Sequence, residues 1–165
     1  MNLANRQTGA VLIVSLLMLM VMTLIGVTAM QSNLLQEKMA GNFKDMNTAF
    51  QAAEAALRDG ETTITSGISG LTGFDASCTN GLCDATSGFK PVWTDPANYG
   101  NGILYGTNTG ATAIAEVSCQ PKYWIEGFKS WPPGSPSWKV RYRITAVACG
   151  GSANTQATLQ SVFSP

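Results

Sequence analysis

No charged side chain occurs between Arg6 and Glu37. Inside that gap, residues 10–30 read "AVLIVSLLMLMVMTLIGVTAM", 21 residues dominated by Leu, Val, Met and Ile. A helix needs about 20 apolar residues to cross the hydrocarbon of a bilayer. In lipid, a single segment satisfies its own backbone polar groups only by being helical. The run therefore commits the first part of the chain to one apolar helix suited to a membrane. A secretory signal is the competing reading. Its apolar core is shorter, roughly 7–15 residues, and ends in a small-residue cleavage site. Val27-Thr28-Ala29 is a weak site of that kind, and the run before it is too long.

Residues beyond the run also argue against its removal. Leu35, Met39, Phe43, Met46, Phe50, Ala53 and Leu57 recur every three or four residues, as one stripe of an α-helix does. No proline interrupts residues 10–61. Gly26 and Gly41 are weak points, each costing about 1 kcal/mol relative to Ala in a helix interior. Glu54 and Arg58 stand in the favourable i, i+4 order. Gly60 offers a stop, and Asp59 and Glu61 oppose the dipole of a longer helix. The expectation is one helix of about 50 residues. Residues 10–30 form its membrane segment, and 31–60 form an amphipathic continuation whose stripe packs on a domain built from 62–165.

The totals narrow the function. Ten basic and ten acidic residues cancel, so no net basic field favours nucleic acid. There is no histidine, which removes the commonest general base and metal ligand together. Cys78, Cys83, Cys119 and Cys149 are an even set. Beside a membrane-targeting segment they read as two disulfides in an oxidising compartment.

Residues 62–112 are glycine-rich with few periodic apolar positions, which predicts irregular connections. "CTNGLC" (78–83) centres on Asn80-Gly81, a strong turn dipeptide, and a Cys78–Cys83 bridge closes a small ring across it. "WKVRYRITAVAC" (138–149) alternates Val140, Tyr142, Ile144, Ala146 and Ala148 against Lys139, Arg141, Arg143 and Thr145, the period of a half-buried strand. "GGSAN" (150–154) supplies a turn. "TQATLQSVF" (155–163) then puts Ala157, Leu159 and Phe163 on one face. Ala146 opposite Ala157 makes Ile144 meet Leu159 and Val140 meet Phe163. For "CQPKYWIEGF" (119–128), Lys129 opposite Lys139 makes Trp124 meet Ile144 and Phe128 meet Val140. That register sets Cys119 opposite Cys149 on the outer face, which proposes the second disulfide. "AIAEVS" (113–118) extends that strand or forms another at the edge. The expected fold is α+β: a long helix packed on a small antiparallel sheet.

Catalytic chemistry is weakly supported. C-x4-C followed by two isolated cysteines is a poor zinc pattern, and a nucleophilic cysteine would lack a histidine partner. Asp75 and Asp84 have no EF-hand spacing to hold calcium. "WPPGSPSW" (131–138) reads as a stiff hairpin loop whose tryptophans cap the sheet, with a partner-binding loop as the alternative. Lys139, Arg141 and Arg143 form a short basic row, better read as a solvated outer face than as a contact for DNA phosphates. The expectation is a protein that is not an enzyme, with no metal, no cofactor and no small-molecule substrate.

Four segments carry a family resemblance. The leader is short and polar with one basic residue, Arg6. It ends at Gly9, directly before the apolar helix, as in class III prepilin signals. "LQEKMAGNFKDMNTAFQAAEAALRDGE" (35–61), "PKYWIEGF" (121–128) and "YRITAVACGG...TLQSV" (142–162) resemble PilX-type minor pilins of type IV pili. The resemblance covers residues 1–61 and roughly the last 45, and nothing useful in 62–112. It implies a type IV pilin-like fold and a subunit that primes or assembles a pilus, supporting adhesion or twitching motility. It implies that a prepilin peptidase removes residues 1–9 by cutting between Gly9 and Ala10, with methylation of the new terminus. The implied partners are other minor pilins, the major pilin and a large tip adhesin. The implied location is the bacterial inner membrane with a periplasmic C-terminal domain, then the cell-surface pilus. Most type IV pilins carry a glutamate at the fifth mature residue, which neutralises the amine of the preceding subunit. Here that position is Val14, and no acid lies between Ala10 and Gln36. The departure points to a subunit at or near the tip. Two alternatives are a membrane-anchored periplasmic binding module outside any filament and a pseudopilin of type II secretion.

Overall fold

The structure is a computed structural model describing residues 9–85, 100–131, 133–134 and 136–165. Helix α1 spans Gly9–Gly67. Five strands come after it: β1 (Leu82–Asp84), β2 (Ile103–Leu104), β3 (Lys122–Ser130), β4 (Lys139–Cys149) and β5 (Gln156–Phe163). The chain divides into two units, one ending at Phe43 and one beginning at Lys44.

In the first unit, residues 9–43 are helical and every one of them is exposed. Polar groups within the apolar run are satisfied locally. Ser15 Oγ donates to the Leu12 carbonyl at 2.9 Å, Thr23 Oγ1 to Met20 at 2.8 Å and Thr28 Oγ1 to Ile25 at 2.9 Å. A hydroxyl bonded this way presents little unmet polarity to an apolar medium.

In the second unit, the sheet lies in the order β1-β3-β4-β5, and β2 pairs with the other end of the β3 edge. The β3–β4 and β4–β5 pairs are antiparallel, as expected. β1 runs parallel to β3, so the sheet is mixed rather than antiparallel. One face packs on α1 through Ala56, Ile64, Tyr123, Ile125, Tyr142, Ile144 and Ala146.

Several expectations are corrected. The helix continues past Gly60 to Gly67. Gly60 is a point of close approach, not a stop: a Cβ there would lie 2.8 Å from Ile144 Cγ2 and 3.1 Å from Tyr123 Cδ2. Asp59 accepts from the Gly106 amide at 2.9 Å and from the Thr109 hydroxyl, so its charge is used by a neighbouring loop. The face of α1 that packs is also not the large-residue stripe. Its buried residues are Ala49, Ala52, Ala53, Ala56, Asp59, Gly60, Thr63 and Ile64. Of the stripe, Ala53 is buried and Leu57 packs half-buried against the core, whereas Phe43, Met46 and Phe50 remain 75%, 52% and 46% exposed. Small side chains let the helix approach the sheet closely, which Phe and Met would prevent.

The register of β3 differs by one residue. Ile125, not Trp124, lies opposite Ile144, and Lys129 lies opposite Val140. A shift of one residue exchanges the two faces of a strand. Tyr123 and Ile125 therefore face α1, while Trp124 packs on the other side against Cys78 and Cys83 with Val147. The β4–β5 register is slipped by two: Ala146 faces Leu159 and Tyr142 faces Phe163. That slip preserves the faces and lengthens the turn, which Asp45 holds by accepting from the Ser152 amide at 3.2 Å.

Residues 113–118 form no strand. They are fastened by the Gln120 amide group, which accepts from the Ile114 amide at 3.0 Å and donates to its carbonyl at 2.8 Å. Trp131 and Trp138 do not cap the sheet. They meet edge to face at 5.2 Å between ring centroids and stay 54% and 60% exposed.

Candidate functional site

The expected processing junction lies at the first described residues. α1 begins at Gly9, and no acidic side chain occupies its first turn. Ala10, Val14 and their neighbours are exposed. Residues 1–8 of the expected leader, Arg6 included, lie outside the described residues. So do 86–99 of the glycine-rich segment, and Pro132 and Ser135 of the tryptophan loop.

From Gly9 the helix presents apolar side chains on all sides. An 18-residue window reaches a mean hydropathy of 2.8, long and apolar enough to cross a membrane. Beyond residue 30 the composition changes, but large apolar side chains continue at helical spacing. Leu35 is 63% exposed and Met39 70%, and Phe43, Met46 and Phe50 extend the series. A run of 21 residues already covers the hydrocarbon thickness. The five side chains after it lie outside what lipid requires, and soluble protein surfaces rarely leave such a series uncovered.

The residues considered for chemistry have other employment. Cys78 is bonded to Cys83 and Cys119 to Cys149, with Cα separations of 4.2 and 5.4 Å. The first bridge spans a tight turn in which Asn80 and Gly81 both take positive φ, at 53° and 72°. The second does not arise from paired rungs. β3 begins only at Lys122, and Ser118 binds the Gly150 carbonyl through both its amide and its hydroxyl at 2.8 Å. The chain leaves the ladder there, and Cys119 reaches Cys149 from outside it. Asp75 uses one carboxylate oxygen to accept the amides of Ser77 at 2.8 Å and Thr79 at 3.0 Å. Among the described residues, no three His, Cys, Asp or Glu side chains converge as a metal site would require.

The basic row resolves into unlike parts. Arg143 donates through Nε and Nη2 to the two carboxylate oxygens of Glu126 at 2.7 and 2.9 Å. Glu126 is fully buried. Its carboxylate holds the Arg143 guanidinium above its ordinary pKa, so this cation is neutralised within the sheet. Lys139 is exposed and Arg141 half-buried. Tyr123 is buried against α1, its hydroxyl 2.9 Å from Thr63 Oγ1, and burial pushes its pKa up. A cavity of about 830 Å³ lies between the end of α1 and residues 100–108. Its polar lining is neutral, including Asn80, Asn101 and Asn108.

The sequence reading missed the alanine face of α1 and the buried Glu126–Arg143 pair. Ala49, Ala52, Ala53, Ala56 and Gly60 do recur at helical spacing, a signal available in the sequence. Glu126 lies among apolar neighbours and gave no sign of a partner 17 residues later.

Comparison with protein families matches nearly the whole described chain. A family model described as PilX N-terminal matches residues 8–58. A second, described as type IV pilus assembly protein PilX C-term, matches residues 75–165. No curated protein and no solved structure matches the chain.

Proposed function

The chain belongs to the PilX family of type IV pilus assembly proteins, and on that premise we propose that it is a minor pilin acting in the priming of a pilus, at or near the tip. The observation that carries this reading is the uncovered series Leu35, Met39, Phe43, Met46 and Phe50 beyond the membrane-length run. A subunit stored in a bilayer needs lipid-compatible side chains over about 20 residues only. A subunit that leaves the bilayer for a helical bundle also gains from apolar side chains further along. Each finds a partner on neighbouring helices, and burying one fully contributes roughly 1.5–3 kcal/mol. The role is structural, not enzymatic. The partners are other minor pilins, the major pilin, a tip adhesin and the peptidase that cleaves between Gly9 and Ala10. The inner membrane holds the subunit before assembly, its C-terminal part in the periplasm.

Val14 supports the position at the tip. A bare ammonium in a low-dielectric core is costly, and most type IV pilins meet it with an acid at the fifth mature residue. This subunit has none to offer a predecessor, which suits one that has no predecessor.

The test is Phe43→Asp. The variant should remain folded and membrane-bound yet be lost from sheared pili, because one buried charge in a helical bundle outweighs the contact it replaces. Normal incorporation of the variant would remove the stripe as an assembly surface. Adhesion and twitching assays of a deletion strain then separate the two cellular roles.

A further inference from the structure

Arg143 and Arg141 are two residues apart on β4 and project from the same face of the sheet. Their neighbours across the β3–β4 ladder differ. Glu126 lies opposite Arg143, and Phe128 lies opposite Arg141. Glu126 receives the Nε and Nη2 edge of Arg143 in a planar, two-bond fork. Phe128 has nothing to accept with, and Arg141 Nε is buried with no hydrogen-bond partner among the described residues. Ser130 Oγ, one rung further on the same face of β3, is buried and unpartnered among them as well. Lys139 stands opposite Ser130 and is exposed. Arg141 and Lys139 line a cavity of about 660 Å³ with Pro133, Pro136 and Ser164, and no acidic residue lines it among the described residues.

We propose that this end of the sheet is a carboxylate-binding site, with Arg141 as the fork and Lys139 as the second cation. The reason is internal to the ladder. The same guanidinium edge takes a carboxylate from Glu126 at the neighbouring rung, and the strand supplies none at this one. A buried donor left without an acceptor is destabilising. An arginine fork favours a planar anion that offers two oxygens. The carboxylate comes either from an acidic side chain of a neighbouring protein or from a free organic acid. The site does not depend on the chain's role in a pilus, since its ligand is recognised by the isolated subunit.

The full chain in neutral detergent micelles is titrated calorimetrically at constant ionic strength. The probes are citrate, an N-acetylated, C-amidated tri-glutamate peptide, and inorganic phosphate. Saturable binding of the peptide or of citrate is expected, and which of the two binds tells the protein source from the free acid. Arg141→Gln should weaken that binding about tenfold or more, since hydrogen bonds to a charged partner are lost. Arg141→Lys should also weaken it, because the charge is kept and the fork is not. Unchanged far-ultraviolet circular dichroism in both variants confirms that the fold is intact. Three results would overturn the assignment: no saturable binding of either carboxylate, equal binding by Arg141→Gln, or phosphate bound as tightly as the carboxylates.

Discussion

Arg143, Gly60 and Asp45 each make a distinct demand on the fold. Glu126 is fully buried and its carboxylate is met by Arg143. Removing the cation alone leaves a buried charge uncompensated, which typically costs about 3–5 kcal/mol. Arg143→Met should therefore lower the unfolding free energy by about 3 kcal/mol or more, read from urea titration in micelles by near-ultraviolet circular dichroism. The double change Glu126→Leu with Arg143→Met should recover most of it, because no charge is then stranded. At Gly60, alanine would gain up to about 1 kcal/mol of helix propensity. Its Cβ would also press on Ile144 in a filled core, and overpacking costs about 1–3 kcal/mol. The balance predicts a destabilised Gly60→Ala, with a lower melting temperature. Asp45 is held below the usual aspartate pKa by the Thr155 hydroxyl first, then by the amides of Ser152 and Gly151. A depressed folded-state pKa adds stability above the unfolded value, and that stability is lost as pH falls through the folded value. Amide protection of the 150–155 turn should drop in that acid range, and Asp45→Asn should abolish the pH dependence.

Among the elements, β4 was the most legible. Val140, Tyr142, Ile144 and Ala146 alternate with Arg141, Arg143 and Thr145 before Val147 breaks the pattern, and that face does meet α1 or its neighbours. β3 was not legible, because Tyr123, Trp124 and Ile125 are apolar in succession and all three are buried. When both faces are covered, alternation cannot say which side is which. The second face is covered by the Cys78–Cys83 turn, a feature that no periodicity announces. For β5 the pattern allowed either of two registers, since a slip of two returns every side chain to its own face. On α1 the sequence showed a conspicuous stripe of large residues, but the sheet took the alanines beside it. Large residues mark apolar surface without saying whether the same chain buries it. The bridges lead to a prediction at this scale. Closing the loop from Cys119 to Cys149 contributes roughly 3–4 kcal/mol by chain entropy, and the short loop from Cys78 to Cys83 roughly 2. Cys149→Ser should lower the yield of folded protein more than Cys83→Ser. A non-reducing peptide map joining Cys78 to Cys119 or Cys149 would refute the pairing.

For the whole molecule, the fate of the N-terminus is the decisive prediction. Gly9→Val should block cleavage, keep the subunit in the membrane and exclude it from pili. Mass spectrometry of wild-type pili should find a mature N-terminus at Ala10. Immunogold labelling should mark pilus ends, and even labelling along the shafts would sink the tip position. A pilus also bears load, and the connections within the C-terminal unit show how a subunit would share it. Neither disulfide reaches α1: one closes a turn beside β1, and the other ties the approach of β3 to the end of β4. The helix is joined to the sheet by close contacts of small residues and by the Thr63–Tyr123 hydroxyl bond, and to the adjoining loops by the hydrogen bonds of Asp45 and Asp59. Tension drawn through the helix thus meets a noncovalent seam before it meets a cross-linked sheet. Overstretching would peel the seam first and leave the strands locked, a joint able to re-form when the pull is released.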